Sequence, residues 1–198
     1  MLRENKAAKS LQGKAGKLLS SLPITPNQVT SLSLFCAIVG FCLSYLGLPF
    51  HSLALFVLAG ALDAMDGAVA RAKGMVSKRG AYVDGITDRL VEFLFILSFF
   101  PFALPSFILP SWLLLLFILF FGSAMTSFAT AYAEHRHVAD SKKIARQPGI
   151  LPRAERLILL FAAFLIAVTY PHAASFLLFT TAALSLMTFI QRFRYYAK

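Results

Sequence analysis

Between Asp63 and Asp88 the chain reads DAMDGAVARAKGMVSKRGAYVDGITD, a stretch with four aspartates at the ends of two strongly apolar segments. These aspartates are Asp63, Asp66, Asp84 and Asp88. A carboxylate at the edge of a bilayer core is costly unless it is paired, hydrated or bound to a cation, and four carboxylates close together repel one another. The stretch therefore predicts a metal site.

Helix geometry strengthens this prediction. Asp63 and Asp66 are three residues apart and Asp84 and Asp88 are four apart, so each pair projects from one face of a helix. Two helices facing each other would bring all four acids together. Hard carboxylate oxygens, with no Cys or His in the stretch, suit Mg²⁺ or Mn²⁺ better than zinc. The alternative, four solvated acids at helix ends, is disfavoured because Asp is a poor helix former.

Eight residues of this stretch fill every fixed position of a known signature, so the chain resembles the CDP-alcohol phosphotransferase family. The resemblance implies a membrane enzyme that cleaves the pyrophosphate of a CDP-linked lipid, releases CMP and passes the phosphoryl-alcohol group to a second hydroxyl. The eight residues are Asp63, Asp66, Gly67, Ala70, Arg71, Gly80, Asp84 and Asp88.

The composition is that of an integral membrane protein. Of 198 residues, 58% are hydrophobic and only 14% are charged, which differs from an average soluble domain. A bilayer core of about 30 Å needs about 20 helical residues, so we include the acidic ends in the second and third helices, the second stretch being too short without its acidic end. We predict an all-α fold, with six transmembrane helices in one domain over residues 25–198. The apolar stretches lie at 29–48, 53–62, 90–109, 112–133, 157–170 and 173–190.

Residues 1–24 form a separate basic segment in this prediction. Leu11, Leu18 and Leu22 recur at helical spacing, and Lys6 and Lys14 are among the residues of a basic face, so we expect an amphipathic helix on the membrane surface. A disordered basic tail is the alternative. The segment lacks the apolar run of a cleavable signal.

The distribution of charge predicts the orientation in the membrane. All 19 Lys and Arg lie in residues 1–24, 71–89, 136–156 or 192–198, and the other loops have none. The positive-inside rule then places both termini and the aspartates on the cytosolic side. The net charge of +10 favours anionic lipid headgroups and phosphorylated substrates. Nucleic acid is an unsuitable partner, because the basic residues are confined to short loops beside the membrane.

The family resemblance also implies roles for individual residues. Asp63, Asp66 and Asp84 would anchor one or two Mg²⁺ or Mn²⁺ ions, and Asp88 would be the base for the acceptor hydroxyl or also a ligand of a second ion. In the family, a motif like Pro26-Asn27-x-x-Thr30 lies near the nucleotide, although helix capping explains these residues equally well. Arg71 would either touch phosphate or fix the loop. The nucleotide-binding residues implied are Asn27, Thr30, Asp63, Asp66, Gly67, Ala70, Arg71 and Gly80.

Basic residues of the later loops resemble the acceptor side of phosphatidylinositol-phosphate synthases and their archaeal ether-lipid counterparts. The resemblance implies that Arg136, Arg153 and Arg192 hold the phosphate of inositol phosphate, and that the protein is a homodimer. Glu134 departs from the basic residue common there. The alternative for the arginines is an ordinary positive-inside role.

Three questions stay open at this stage. The acceptor is inositol phosphate, or instead glycerol 3-phosphate, serine or another polyol. A divalent-cation transporter or a membrane scaffold is disfavoured, because the acids lie at one membrane edge and no internal repeat is visible. Glu92 continues the face of Asp84 and Asp88 and either orients the site or bonds a neighbouring helix.

Overall fold

The computed structural model describes residues 24–147 and 149–198, and over them the protein is helical, with no strand. The predicted all-α class is confirmed. The amphipathic helix predicted for residues 1–24 lies, apart from Ile24, outside the described residues. The helices are α1 Pro26–Tyr45, α2 Pro49–Ala72, α3 Lys78–Leu97, α4 Ser111–Phe117, a π-helix Ile118–Met125, α5 Thr126–His135, α6 Ser141–Ala145, α7 Arg153–Ala167 and α8 Pro171–Tyr196.

Four helical segments have the length and apolar composition of membrane spans. They are Pro26–Tyr45, Pro49–Ala72, Ser111–His135, which runs from α4 through the π-helix to α5, and Pro171–Tyr196. Many large apolar side chains on them are exposed, among them Phe35 and Phe193, as expected for a surface that contacts lipid. α3 carries several charged residues, and α7 has 15 residues, about 22 Å of helix.

Local sequence explains where the first helices begin and end. Thr25 forms a capping box with Gln28 at the start of α1, and Pro49 occupies the first turn of α2, where a missing N–H costs nothing. Gly47 and Gly74 follow α1 and α2 with φ of 75° and 65°. This left-handed conformation suits glycine, which has no Cβ to clash.

The chain divides into two compact units, one ending at Pro101 and the other beginning at Phe102. In the first unit, α1 packs on α2 and α3. Its core contains the ring of Phe95, whose centroid lies 4.7 Å from that of Phe56 and 5.7 Å from that of Phe99. The Ser33 hydroxyl donates to the carbonyl of Ala59 at 2.8 Å, which joins α1 to α2.

In the second unit, α8 packs against α4, the π-helix, α5 and α7. The π-helix widens the fourth apolar segment, and such stretches often occur at functional sites. Directly after it, the hydroxyl of Thr126 donates to the carbonyls of Gly122 and Ser123.

The third helix differs from its predicted apolar stretch. We expected the apolar residues to continue to Leu109, but α3 ends at Leu97. The Ser98 hydroxyl donates to the carbonyl of Leu94 at 2.9 Å, and the prolines at 101 and 105 cannot donate to a helical ladder. The helix does begin among the charged residues before Asp84, as predicted.

Candidate metal centre

Three of the four aspartates converge between α2 and α3. Asp63 and Asp66 lie on α2 and Asp84 lies on α3, and one carboxylate oxygen of each lies within 4.8 Å of the others. Asp66 is buried, with 5% of its surface exposed, and the other two are half-buried. Two helices thus bring together carboxylates that are 21 residues apart along the chain.

The donor set fits a hard divalent cation. Mg²⁺ takes oxygen ligands at about 2.0–2.1 Å, so ligands opposite each other across the ion lie about 4.2 Å apart. The 4.8 Å within which the three carboxylate oxygens lie is close to this span. Carboxylate oxygens alone suit Mg²⁺ or Mn²⁺.

α1 contributes a hydroxyl to this centre. The Thr30 hydroxyl donates to Oδ2 of Asp66 at 2.7 Å, and both side chains are buried. The sequence left Thr30 with either a nucleotide-binding or a capping role. In the structure the residue that caps α1 is Thr25, and Thr30 holds a carboxylate of the metal centre.

Asp88 lies one helical turn beyond Asp84 on α3 and is half-buried. It is not one of the three residues in the converging group. A carboxylate beside a cation centre, rather than within it, is suited to accept a proton.

Glu92 lies one further turn along α3, with its side chain fully buried. Its Oε2 lies 3.6 Å from Nη1 of Arg89, three residues earlier on the same helix. A buried carboxylate needs such compensation.

The glycines of the signature lie where other side chains approach closely. A Cβ on Gly67 would lie 3.4 Å from Nη1 of Arg71, so the Arg71 side chain folds back along α2. A Cβ on Gly80 would lie 3.1 Å from the Ser77 hydroxyl and 3.9 Å from Oδ1 of Asn27. The exposed Asn27 amide at the start of α1 therefore lies beside the start of α3.

The turn after α2 is fixed by backbone bonds and a lysine that the sequence analysis missed. The half-buried Ala70 accepts a hydrogen bond from the Met75 amide at 2.9 Å. The ammonium group of Lys73 donates to the carbonyl of Ile24 at 2.7 Å, joining this turn to the residues before α1. In the sequence, Lys73 lies among the basic residues of 71–89, which indicated only a positively charged loop beside the membrane.

The arginines predicted on the acceptor side all belong to the second unit. Arg192 on α8 donates through Nη1 to the carbonyl of Thr126 at 3.1 Å. Arg136 donates through Nε to the Tyr132 hydroxyl at 2.9 Å, with its guanidinium 5.2 Å from the ring centroid. These contacts join Arg192 to Thr126, the first residue of α5, and Arg136 to Tyr132, about 9 Å further along the helix. Arg153 is half-buried and begins α7.

Arg156 is a further basic residue of this region, to which the sequence analysis gave no role of its own. Only 3% of its surface is exposed, and its Cδ would lie 3.0 Å from a Cβ on Gly122 in the π-helix. The feature of the sequence that could have identified Arg156 is its three-residue spacing from Arg153, which places both residues on one face of α7.

Comparison with known proteins agrees with this site. The family model for CDP-alcohol phosphatidyltransferase matches residues 23–190. The chain is 36% identical to archaetidylinositol phosphate synthase of Pyrococcus horikoshii, over 90% of this chain and 87% of the relative. It is 28% identical to phosphatidylinositol phosphate synthase of Corynebacterium glutamicum, over 96% and 86%.

The fold is also similar to that of a solved protein. Phosphatidylinositol phosphate synthase of Mycobacterium tuberculosis has crystal structures with CDP-DAG bound and in complex with manganese and citrate, each with a TM-score of 0.77 and 23% identity. The match covers 94% of this chain and 94% and 89% of those chains.

The family match over residues 23–190, together with four helices long and apolar enough to cross a membrane, identifies a transferase of phospholipid biosynthesis. The chain belongs to the CDP-alcohol phosphatidyltransferase family. The resemblance seen in the signature is thereby confirmed, together with the class of enzyme that it implied.

Proposed function

We propose that this enzyme transfers a phosphatidyl-type group from a CDP-linked lipid to a hydroxyl of inositol phosphate and releases CMP. The convergence of Asp63, Asp66 and Asp84, within a family that performs this chemistry, is the observation that carries the proposal. The two curated relatives are named for different lipids, but both names give a lipid-linked inositol phosphate as product. The lipid part of the donor then carries either diacyl or ether-linked chains.

The three converging carboxylates would hold Mg²⁺ or Mn²⁺. The ion would neutralise the pyrophosphate of the donor and stabilise the departing CMP. Thr30 keeps the Asp66 carboxylate in one orientation through its 2.7 Å bond. This leaves the half-buried Asp88 to accept the proton of the attacking hydroxyl. Ligation of a second ion is the other role for Asp88.

The donor nucleotide would lie along the signature residues of α2 and α3, beside the start of α1. The absence of side chains at Gly67 and Gly80, the small Ala70 and the nearby Asn27 amide support this placement. The exposed Arg71 is suited to contact a phosphate of the donor. The same nucleotide would be approached by Asp63 and Asp66 through the bound metal, and by Thr30 through its hydrogen bond to Asp66.

We propose that Arg136, Arg153 and Arg192 bind the acceptor phosphate. A guanidinium group binds phosphate through two parallel hydrogen bonds, which favours arginine over lysine here. Arg136 and Arg192 contact residues of α5 that lie about 9 Å apart along the helix. Arg136 would therefore reach the ligand only when its guanidinium leaves the Tyr132 ring.

We further propose that the chain crosses the membrane six times, through the four apolar segments and through α3 and α7. Both termini and the aspartates would then lie on the cytosolic side. The confinement of Lys and Arg to alternate connections supports this orientation. The homodimer implied by the family resemblance is part of the same proposal, and the mass of the protein in detergent tests it.

An acceptor panel tests the central proposal. Purified protein is supplied with one CDP-linked lipid, Mg²⁺ or Mn²⁺, and separately inositol 1-phosphate, free inositol, glycerol 3-phosphate or serine. We expect metal-dependent CMP release with inositol 1-phosphate and little with the others. If the enzyme prefers another acceptor, the assignment of inositol phosphate is wrong, but the assignment of the protein as a transferase stands. Metal flux into vesicles without CMP release under any condition would favour a cation transporter instead.

A further inference from the structure

A cavity opens between α5 and α8 on the surface of the second unit. Its volume is about 310 Å³, and apolar atoms form almost all of its lining. Three aromatic side chains that line it are exposed, with Phe128 at 56%, Tyr132 at 44% and Phe193 at 60% of their surface. A site of this size, apolar and with few polar groups, is typical of a pocket for a small ligand.

Aromatic rings line both walls of the cavity, and one wall ends in a cation. On α5, Phe128, Tyr132 and Arg136 follow one another at four-residue intervals and so lie on one face. The rings of Phe128 and Tyr132 stack with centroids 5.3 Å apart, and the Arg136 guanidinium lies 5.2 Å from the Tyr132 centroid. On α8, Phe189 and Phe193 have ring centroids 6.3 Å apart, and both line the cavity. The cavity is therefore apolar along its length and positively charged at one end.

The contacts of Arg136 do not compensate its charge. Its guanidinium donates through Nε to the Tyr132 hydroxyl at 2.9 Å and stacks on the same neutral ring. Within residues 24–147 and 149–198 the Arg136 side chain makes these two contacts and no ion pair. A guanidinium whose partners are neutral still attracts an anion, and its strongest hydrogen bonds are those to a phosphate or a carboxylate.

The distribution of charge matches the place of the cavity in the membrane. α5 and α8 belong to two of the segments that are long and apolar enough to cross a membrane, Ser111–His135 and Pro171–Tyr196. Arg136 follows directly after the first of these segments, so the apolar part of the cavity lies along the spans and its positive charge lies at their end. A phospholipid has the same arrangement, with hydrocarbon chains in the bilayer and a phosphate at the edge, where basic residues attract anionic headgroups.

We propose that this cavity binds an anionic phospholipid of the bilayer, with a hydrocarbon chain between α5 and α8 and the phosphate on Arg136. Its residues differ from those of the donor site, because the signature residues belong to the first unit and the cavity is formed by the second unit alone. Arg136 is also proposed to bind the acceptor phosphate, so the bound lipid competes with the acceptor for this arginine. That consequence, unlike lipid binding itself, rests on the proposed function.

A second copy of the chain is the competing occupant, since exposed apolar patches also form contacts between proteins. The positive end of the cavity favours the lipid, whose phosphate complements the charge of Arg136. The composition of the lipid beside the cavity distinguishes the two occupants.

The test uses a tryptophan as a reporter of the lipid beside it. The chain has a single tryptophan, so Trp112→Phe combined with Phe193→Trp places the one reporter in the cavity. Trp112→Phe combined with Phe120→Trp is the matched control, because Phe120 is 53% exposed but is not among the residues that line the cavity. Vesicles contain equal amounts of phosphatidylglycerol and phosphatidylcholine. The chains of one lipid or of the other carry bromine, which quenches tryptophan fluorescence.

We expect the Phe193→Trp reporter to show about a fivefold preference for phosphatidylglycerol, the effect of one basic residue near an anionic membrane surface. The Phe120→Trp reporter should show no preference, and Arg136→Gln should remove the preference of the Phe193→Trp reporter. If Phe193→Trp does not fold, Phe128→Trp takes its place as the reporter in the cavity.

Three results would overturn the proposal. The first is equal quenching by both lipids at the cavity reporter, or a preference that persists in Arg136→Gln. The second is absence of quenching by either lipid, which would show that another copy of the chain covers the cavity. The third is loss of the preference when a small amount of unbrominated CDP-linked lipid is added, which would assign the cavity to the donor.

Competition for Arg136 has a separate test in the transferase assay. Ala129→Phe fills the cavity from α5, whereas Ala131→Phe lies on an exposed face of the same helix and is its control. More phosphatidylglycerol in the vesicles should raise KM for inositol 1-phosphate in the wild type and in Ala131→Phe, and less so in Ala129→Phe. An equal rise in all three would reflect the surface potential alone and would overturn the competition. If the wild type releases no CMP with inositol 1-phosphate, the proposed function fails, and the quenching result alone decides the lipid site.

Discussion

Thr30 controls the most buried carboxylate of the candidate metal centre through one hydrogen bond. Its hydroxyl donates to Asp66 at 2.7 Å within the packed start of α1. Thr30→Val keeps the shape and removes the donor. We expect about 1 kcal/mol less stabilisation of the ligand orientation, seen as about a fivefold rise in the Mg²⁺ concentration that gives half-maximal activity. Thr30→Ser, the matched control, should stay near the wild type. Equal metal dependence in the wild type and the valine variant would argue against this role.

The three converging aspartates are expected to be individually essential. Asp63→Asn, Asp66→Asn and Asp84→Asn each remove a charge with little change in size, so insertion into the membrane and folding should persist. The rate of CMP release should fall by several orders of magnitude, since each tenfold corresponds to about 1.4 kcal/mol of barrier. Near-normal turnover of one variant at saturating Mg²⁺ would remove that residue from the ligand set.

Asp88 is expected to separate binding from catalysis. Asp88→Asn should cripple transfer but leave binding of the CDP-linked lipid and metal largely intact, because it is not in the converging group. A thermal shift with the lipid and Mg²⁺ measures binding, and CMP release measures catalysis. If binding is lost to the same extent as in Asp63→Asn, Asp88 is a metal ligand instead.

At the scale of helices, the spacing of the aspartates predicted that all four come together, and three of them, Asp63, Asp66 and Asp84, form the converging group. The three-residue spacing on α2 and the four-residue spacing on α3 place each pair of aspartates on one helix face, because both stretches are helical. The end of α3 and the π-helix were not predictable in this way. The apolar residues continue past Leu97, where α3 ends. The change from α-helical to π-helical hydrogen bonding at Ile118 is not visible in the types of residue there. The end of α3 is accompanied by the Ser98 side-chain bond and the prolines at 101 and 105, and the π-helix by a change in backbone hydrogen bonding.

The start of α3 is held by a cap whose loss should reach the metal centre. The Ser77 hydroxyl accepts from the Gly80 amide at 3.0 Å, and Asp84 lies in the next turn. Ser77→Ala should cost about 1 kcal/mol of helix stability and lower the melting temperature. It should also raise the Mg²⁺ concentration that gives half-maximal activity. Ser77→Asn, which restores a capping oxygen, should recover both. A melting temperature unchanged in the alanine variant would show that the cap contributes nothing.

At the scale of the whole molecule, the sequence predicted membrane character and family but not the arrangement of the arginines. Hydropathy and the signature depend on residue type and spacing. The partners of Arg136 and Arg192, by contrast, depend on how α5 and α8 pack. The i,i+4 spacing of Tyr132 and Arg136 was visible, yet nothing in the sequence indicated that Arg192 would reach the carbonyl of Thr126.

Orientation in the bilayer gives the last prediction. The connection at Gly47 has no basic residue, whereas that at Gly74 lies among Arg71, Lys73 and Lys78, so Gly47 should face outside and Gly74 the cytosol. Gly47 and Gly74 are exposed turn residues with positive φ, which suits them to a short tag. A tag at Gly47 should be labelled in intact cells by a reagent that does not cross the membrane. A tag at Gly74 should be labelled only after permeabilisation, as should tags at both termini. The opposite pattern would place the aspartates outside, away from the cytosolic pool of CDP-linked lipid that the proposed reaction requires.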